Sequence, residues 1–273
     1  MNHVFFFRKV RSKVIWILKE MFRTLGIGVT SYSNLVNLKE KSLDRSRQDL
    51  EFIKALNPAE LEPLITLLSK SKSQLRQDLF VLSETKYKRG GYFVEFGATN
   101  GIDLSNTYLL ETEFSWKGIL AEPANVWRLK LHENRPNAFI STQCVWSHSN
   151  SLLTFNETDY PELSTIDIFS GNDDWYVNSR QAGKKYEVQT ISLNDLLRKY
   201  QAPKYIDYLS IDTEGSEYEI LNAFNFSEYT IGIITVEHNN TPKREMIFTL
   251  LASQGYKRKY ESISNFDDWY VKI

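Results

Sequence analysis

The sequence predicts an α/β protein built on a doubly wound, mostly parallel sheet, and three observations carry that expectation. After Gln74, short β-rich runs alternate with helical spans, which implies right-handed crossovers between parallel strands. Four strand ends run into acidic or glycine-rich segments, where open sheets of this kind bind their ligands. The composition, 42% hydrophobic and 14% aromatic over 273 residues, suits one generous domain with an appendage and excludes a chain disordered as a whole.

Residues 1–30 are expected to form the appendage, a basic amphipathic helix. Residues 1–25 carry Arg8, Lys9, Arg11, Lys13, Lys19 and Arg23 against Glu20, although the whole chain has a net charge of -1. Phe7, Val10, Val14, Ile17, Leu18, Met21 and Leu25 recur at helical steps, with Arg8, Arg11, Lys19 and Arg23 opposite, Trp16 at the flank and Ile15 as an apolar intruder. Such a helix is expected to lie in an anionic membrane interface through residues 4–25. The alternatives are docking on its own domain or a partner subunit, or a cleaved signal, for which the apolar stretch is too interrupted by charge. No run of about 18 apolar residues exists to span a bilayer.

Residues 31–73 are expected to be a helical linker. Arg45 to Leu56 and Ala59 to Leu68 have helix-like spacing, and Asn57 and Pro58 supply a cap and first-turn signal for the second.

Residues 74–273 make the main domain. Strands are expected at Tyr92 to Phe96, Gly118 to Ala121, Ala138 to Thr142, Tyr205 to Ile211, Ile231 to Val236, Tyr256 to Tyr260 and Trp269 to Ile273. Helices are expected at Leu104 to Glu113, Ala124 to Glu133, Leu193 to Tyr200, Glu217 to Phe224 and Lys243 to Ser253. No helix separates the last two strands, so they should pair antiparallel at one edge. No internal repeat is visible.

Several function classes drop out. The near-neutral charge argues against a nucleic-acid partner. Cys144 is the single cysteine, so no internal disulfide or cysteine-built metal site can form, and a reducing, cytoplasmic setting is expected. The four histidines, His3, His132, His148 and His238, show no ligand spacing.

The strand ends point to one cleft. FVEFGATNG holds Glu95, Gly97 and Gly101; GILAEP ends in Glu122; LSIDTEGSE holds Asp212, Glu214 and Gly215; ITVEHN ends in Glu237, His238 and Asn239. Glycines after the first strand let the backbone turn sharply and approach a ligand. Glu122, 25 residues beyond Gly97, stands where a carboxylate accepts the hydroxyls of a nucleoside ribose. A dinucleotide loop would read G-x-G-x-x-G, whereas this one reads G-x-x-x-G behind Glu95. A carboxylate repels a pyrophosphate and attracts an amino-acid ammonium. The expected cofactor is therefore S-adenosyl-L-methionine rather than NAD.

The run from SQLRQD through GGYFVEFGATNGIDLSNTYLLE, WKGILAEP, IDYLSIDTEGSEYEIL and ITVEHN to DDWYV resembles the FkbM-type methyltransferases, a branch of the class I S-adenosylmethionine-dependent enzymes. The resemblance covers about Ser73 to Ile273, and the D-x-E-G-x-E block is its most specific motif. It implies a Rossmann-like, seven-stranded methyltransferase fold and methyl transfer to oxygen, commonly on a sugar or glycan-like natural product. It also implies that Glu95, Gly97 and Gly101 line the methionine end and that Glu122 holds the ribose. Asn100, Ser105 and Asn106 fall in the same stretch without an assigned contact. The basic N-terminus looks like leaders on glycan-modifying bacterial members.

Methyl transfer needs alignment of an oxygen nucleophile with the methyl carbon, and a general base adds roughly 10²- to 10⁴-fold. His238, the one histidine at an expected strand end, is the leading base, with a hydrogen-bonded structural histidine as the alternative. Asp212, Glu214 and Glu237 compete for the role. With His238 they could instead hold Mg²⁺ through oxygen ligands and waters, although the assignment adopted carries no metal. Glu217 is expected to cap a helix start. Cys144 falls near where adenine would rest and enters the cofactor-binding set, against the reading of a small packed hydrophobe. The aromatic segment Ile168 to Tyr186 is read as an acceptor-binding lid, or else an ordinary surface excursion. The expected function is an O-methyltransferase acting on a sugar hydroxyl of a glycan or glycolipid precursor at the inner face of a membrane. The alternatives are a catalytically idle binding or trafficking module and, disfavoured by the missing third glycine, an NAD-dependent sugar enzyme.

Overall fold

The computed structural model describes residues 45–56, 61–171 and 177–273. The chain divides into compact units at residues 1–50 and 51–273, and the fold that follows is that of the second. The basic helix expected within residues 1–30 lies outside the described residues.

A seven-stranded sheet forms the centre, in the order β3 (Phe139–Ser141), β2 (Lys117–Ala121), β1 (Tyr92–Phe96), β8 (Tyr205–Ile211), β9 (Thr230–Glu237), β11 (Asp267–Lys272) and β10 (Tyr256–Lys259). The pairs from β3 to β9 are parallel, and β11 runs antiparallel to both of its neighbours. The last two strands do pair antiparallel at one edge, with β11 inserted between β9 and β10.

The central strands read as near-continuous apolar runs because helices cover both faces. Val94, Ile119, Leu209, Ile211 and Ile234 point into one apolar layer with Leu196 of α6 (Leu193–Lys199), Leu221 of α7 (Glu217–Ala223) and Leu251 of α8 (Lys243–Ser253). Phe93, Leu120, Tyr208 and Ile233, the alternating neighbours, enter the opposite layer. There they meet Leu79 and Phe80 of α2 (Gln77–Glu84), Leu109 and Leu110 of α3 (Tyr108–Phe114) and Leu131 of α4 (Arg128–Asn134). Phe52 and Leu56, together with Leu64 of α1 (Leu61–Leu67), share that second layer, so segments 51–56 and 61–67 contribute to the core of the unit. Burial at about 25 cal/mol per Å² makes these layers the main stabilising term.

Two helices start later than their periodicity suggests, for local reasons. Residues 104–107 have helix-like spacing, but Leu104 has φ 63° and the Ser105, Asn106 and Thr107 donors are drawn onto Glu95, so α3 begins at Tyr108. The Ala124 N–H is engaged by Glu122, and α4 begins at Arg128.

A second, four-stranded sheet lies between β3 and β8 in the chain and was not expected from the sequence. Its order is β4 (Cys144–Trp146), β7 (Lys184–Ser192), β5 (Leu152–Glu157) and β6 (Thr165–Ile166). A 3₁₀ turn, Asp167–Phe169, and a short helix, α5 (Val177–Gln181), join β6 to β7. Among the described residues, no helix is long and apolar enough to cross a membrane.

Candidate active site

The parallel strands end at one edge, and the loops there carry the residues singled out from the sequence. Gly97, just past β1, has φ 71°, and a Cβ on it would lie 2.0 Å from the Asp212 carbonyl oxygen. Only glycine lets the first loop pass this close to the end of β8. Gly101, at φ 81°, lies close to the stem of Arg135: a Cβ would be 2.6 Å from its Cγ.

Glu95 organises the loop. Its carboxylate accepts from the Ser105 hydroxyl at 2.9 Å, the Asn106 N–H at 2.6 Å and the Thr107 hydroxyl at 2.5 Å. Buried Arg135 stands 3.9 Å away, donates to the Gly101 carbonyl at 2.9 Å and to the Thr107 hydroxyl at 3.0 Å, and pairs with Glu111. Burial raises the Glu95 carboxyl above its ordinary range despite the Arg135 charge and these donors. The structure thus directs Glu95 onto the loop of Gly97 and Gly101. Asn100 builds the same loop, accepting from the Ile102 and Asp103 N–H groups at 2.9 Å.

Glu122 follows β2. One carboxylate oxygen accepts from the Thr99 N–H at 3.0 Å and the other from the Ala124 N–H at 2.8 Å, which leaves further lone pairs on both. Burial pushes its carboxyl up to about 7, with the Glu157 charge adding to the shift. Ala124 belongs to an apolar cluster with Cys144, Phe155, Ile166, Phe169 and Val188, flanked by Trp127 and Tyr186. Burial, then the Glu122 charge, pushes the Cys144 thiol up to about 12, so it is a neutral packing group beside Glu122.

The ends of β8 and β9 are acidic. Asp212, Glu214 and Glu237 each place an oxygen so that the three lie within 4.8 Å of one another. Burial, then the Asp267 charge, raises Asp212 to about 7. Burial, then the Asp212 and Glu214 charges, raises Glu237 well above the carboxylate range. Glu214 sits at φ 59° and accepts from buried Arg180 at 2.8 Å, while the Thr165 hydroxyl donates to the Glu214 carbonyl at 2.8 Å. Glu217 accepts from the Thr213 N–H at 3.0 Å and the Gly215 N–H at 2.9 Å, closing the turn into α7.

His238 is engaged elsewhere. Its Nδ1 accepts the Asn240 N–H at 2.9 Å, which assigns the proton of the neutral ring to Nε2. Nε2 stands 3.8 Å from Asp268 Oδ1, and burial lowers the ring's pKa. The structure therefore brings Asp212, Glu214 and Glu237 together, while the His238 Nδ1 serves its own turn and the buried Nε2 has no hydrogen-bond partner among the described residues.

Three participants were given no individual role from the sequence. Arg180, noted there only as one charge of the aromatic insertion, reaches Glu214. Arg135 lies in an unremarkable loop. Asp267 could have been found, because an antiparallel last strand must begin at the ligand edge, and it does pair in register with Glu237.

A parallel sheet with one antiparallel strand inserted next to its edge, glycine turns after β1 and a carboxylate after β2 define an S-adenosylmethionine-dependent methyltransferase. The model of the methyltransferase FkbM domain matches residues 95–258, and the chain belongs to that family, with S-adenosylmethionine as its cofactor. No curated protein matches the chain significantly. Similar solved structures include the precorrin-6y C5,15-methyltransferase of Geobacter metallireducens GS-15, 9% identical with a TM-score of 0.38, covering 71% of this chain and 84% of that one. The METTL16 methyltransferase domain is 9% identical with a TM-score of 0.42, covering 72% and 66%. The ribosomal protein L11 methylase of Lactobacillus delbrueckii subsp. bulgaricus is 8% identical with a TM-score of 0.36, covering 72% and 77%.

Proposed function

We propose that this methyltransferase acts on oxygen, at a sugar hydroxyl of a glycan or glycolipid precursor. The observation that carries the proposal is the adjacency of the Gly97 turn to Asp212, which sets the cofactor loop against the Asp212–Glu214–Glu237 cluster. Carboxylates repel an anionic acceptor and accept hydrogen bonds from a neutral polyol.

The residues fit the cofactor chemically. Glu122, fixed by two backbone donors, would accept ribose hydroxyls, and the apolar cluster around Ala124 and Cys144 offers the surface an adenine requires. The Gly97–Gly101 turn and Glu95 would shape the methionine end. When bound, S-adenosylmethionine would supply an electrophilic methyl group on a sulfonium for transfer to an acceptor oxygen. The chain's part is to orient the acceptor hydroxyl and draw off its proton, and Asp212 and Glu237, with raised pKa values, suit that task better than His238. The segment from Ile168 to Tyr186, of which 172–176 lie outside the described residues, supplies Phe169 against Gly215 and Arg180 against Glu214. That placement supports an acceptor-facing lid.

Residues 4–25 would hold the enzyme at the inner face of an anionic membrane, near a lipid-linked acceptor. Full-length chain should sediment with anionic vesicles and be released as salt rises. Incubation with labelled S-adenosylmethionine and a glycan extract should place the label on carbohydrate oxygen, as read by mass analysis. Label on another class of molecule overturns the acceptor proposal, and cofactor binding without any transfer favours the idle module.

A further inference from the structure

We propose that Asp212, Glu214 and Glu237 form a binding site for one hard divalent cation of the Mg²⁺, Mn²⁺ or Ca²⁺ class. The proposal deepens the reading of this edge as the acceptor side and rests on it for its functional meaning, although the binding itself does not.

Three observations converge. The first is geometry: each residue offers one oxygen, and the three oxygens lie within 4.8 Å of one another. Oxygens on opposite sides of a cation at about 2.1 to 2.4 Å are separated by about 4.2 to 4.8 Å, so the cluster already has coordination dimensions. The second is an orphaned atom. Glu237 is 93% buried, at 7% relative exposure, and its Oε2 has no hydrogen-bond donor among the described residues. A buried carboxylate oxygen without a donor is costly, and a cation answers it directly. The third is charge. Glu214 is paired with Arg180, while Asp212 and Glu237 have no ion-pair partner among the described residues. Two carboxyl groups without a cationic partner supply the charge one divalent ion needs once it displaces the proton that burial holds on the pair.

The donors are all carboxylate oxygens, which selects hard cations over metals that prefer nitrogen or sulfur. Arg180 donates to the Glu214 carboxylate at 2.8 Å, as a supporting partner orients a metal ligand. The Gly97 turn packs against the Asp212 backbone, where a Cβ would lie 2.0 Å from the Asp212 carbonyl oxygen. Three protein ligands leave coordination positions for water or for hydroxyls of a polyol acceptor. A hydroxyl held there is acidified, and the cluster carboxylate that draws off its proton passes it on to water. The balance is then one methyl moved from sulfur to oxygen, one sulfonium charge lost and one proton released.

The test uses the full chain with Mn²⁺ alone. Titration followed by electron paramagnetic resonance of free Mn²⁺ should show one site per chain, competed by Mg²⁺ or Ca²⁺. Asp212→Asn and Glu237→Gln should each weaken Mn²⁺ binding at least about tenfold. Glu187→Gln, on the exposed face of β7, should leave it unchanged. Calorimetry with S-adenosylhomocysteine checks that each variant is folded. Absence of a Mn²⁺ site in the unmodified chain overturns the proposal whatever the variants do, as does full binding retained in both folded cluster variants. Glycan methylation that survives chelation, in a chain that does not bind Mn²⁺, overturns the cation site and leaves the methyltransferase reading intact. Mn²⁺ bound at the cluster without any glycan methylation leaves the cation site intact and overturns the glycan acceptor.

Discussion

At the ends of β1 and β2 each carboxylate is met by donors from its own loop: Glu95 by Ser105, Asn106 and Thr107, and Glu122 by the Thr99 and Ala124 N–H groups. At the ends of β8 and β9, Asp212 and Glu237 are set against each other and Glu237 Oε2 meets no donor among the described residues. The same residue type at the same sheet edge therefore occupies two electrostatic regimes. The first region is complete before a ligand arrives and can select one by shape and hydrogen bonding. The second carries unanswered charge that a proton, a cation or a hydroxyl donor must satisfy. Division of labour between a rigid cofactor side and a charge-hungry acceptor side follows.

The sharpest break of this comparison is at the seam. Gly97→Ala drives a Cβ to 2.0 Å from the Asp212 carbonyl at a positive φ, whereas Gly90→Ala, also at positive φ, meets nothing within 4 Å. Denaturant titration should show a loss of about 3 kcal/mol or more for the first and about 1 kcal/mol for the second, because only the first adds a steric clash to backbone strain. Similar losses would mean that the seam yields.

Next is the cofactor side. Glu122→Ala should weaken S-adenosylmethionine binding by about 1.5 to 3 kcal/mol, roughly 10- to 150-fold in Kd by calorimetry. The same carboxyl sets a pH dependence. Because its pKa in the folded chain is raised to about 7, it is increasingly protonated below that value and loses acceptor capacity, so affinity should rise with pH and level off above about 7. The linked stability term runs the opposite way: present below its ordinary carboxylate value, it is lost as pH rises through about 7. Glu122→Gln should flatten both profiles.

His238→Gln keeps an acceptor for the Asn240 N–H and should reduce turnover by less than about tenfold, well short of the roughly 10²-fold or greater loss expected for a general base. A larger drop at unchanged cofactor affinity would restore His238 to catalysis. The smallest effect belongs to Cys144→Ala. As a neutral packing group Cys144 should cost about 1 kcal/mol of stability and leave cofactor affinity within a few-fold. A large affinity loss would put the thiol against the ligand.

The central sheet is legible in the sequence because strands such as IDYLSI and GIITV are apolar enough to be buried on both faces, and glycines or acids mark their ends. The second sheet is not. In β7 Lys184, Lys185, Glu187 and Gln189 are exposed, and in β5 Leu152 and Thr154 are exposed, so no apolar run signals either strand; β6 is two residues long. The candidate carboxylates are legible by position, since any residue just past a parallel strand reaches the ligand edge. Their partners are not, because Arg180 lies 34 residues before Glu214 and Gln77 lies 190 before Asp267. The His238 ring bond is local, to the Asn240 N–H two residues on, but it depends on the turn the backbone takes there rather than on residue type.

The placement of β11 between β9 and β10 bears on how the molecule is made. As the chain is synthesised, β10 emerges with no strand to pair with, because its only neighbour in the sheet is the strand that follows it. The β9 edge stays open until the same segment arrives, a template for mispairing with another nascent chain. Asp267, at the leading end of β11, pairs in register with Glu237 and meets Gln77 of α2 across 190 residues of sequence. Such distant closure is slow, so the acceptor side should be the last part of the enzyme to mature, well after the cofactor loops between β1 and β2 have their local contacts. A polypeptide interrupted before β11 would then present a half-built cleft, with the cofactor side in place and the chemistry withheld.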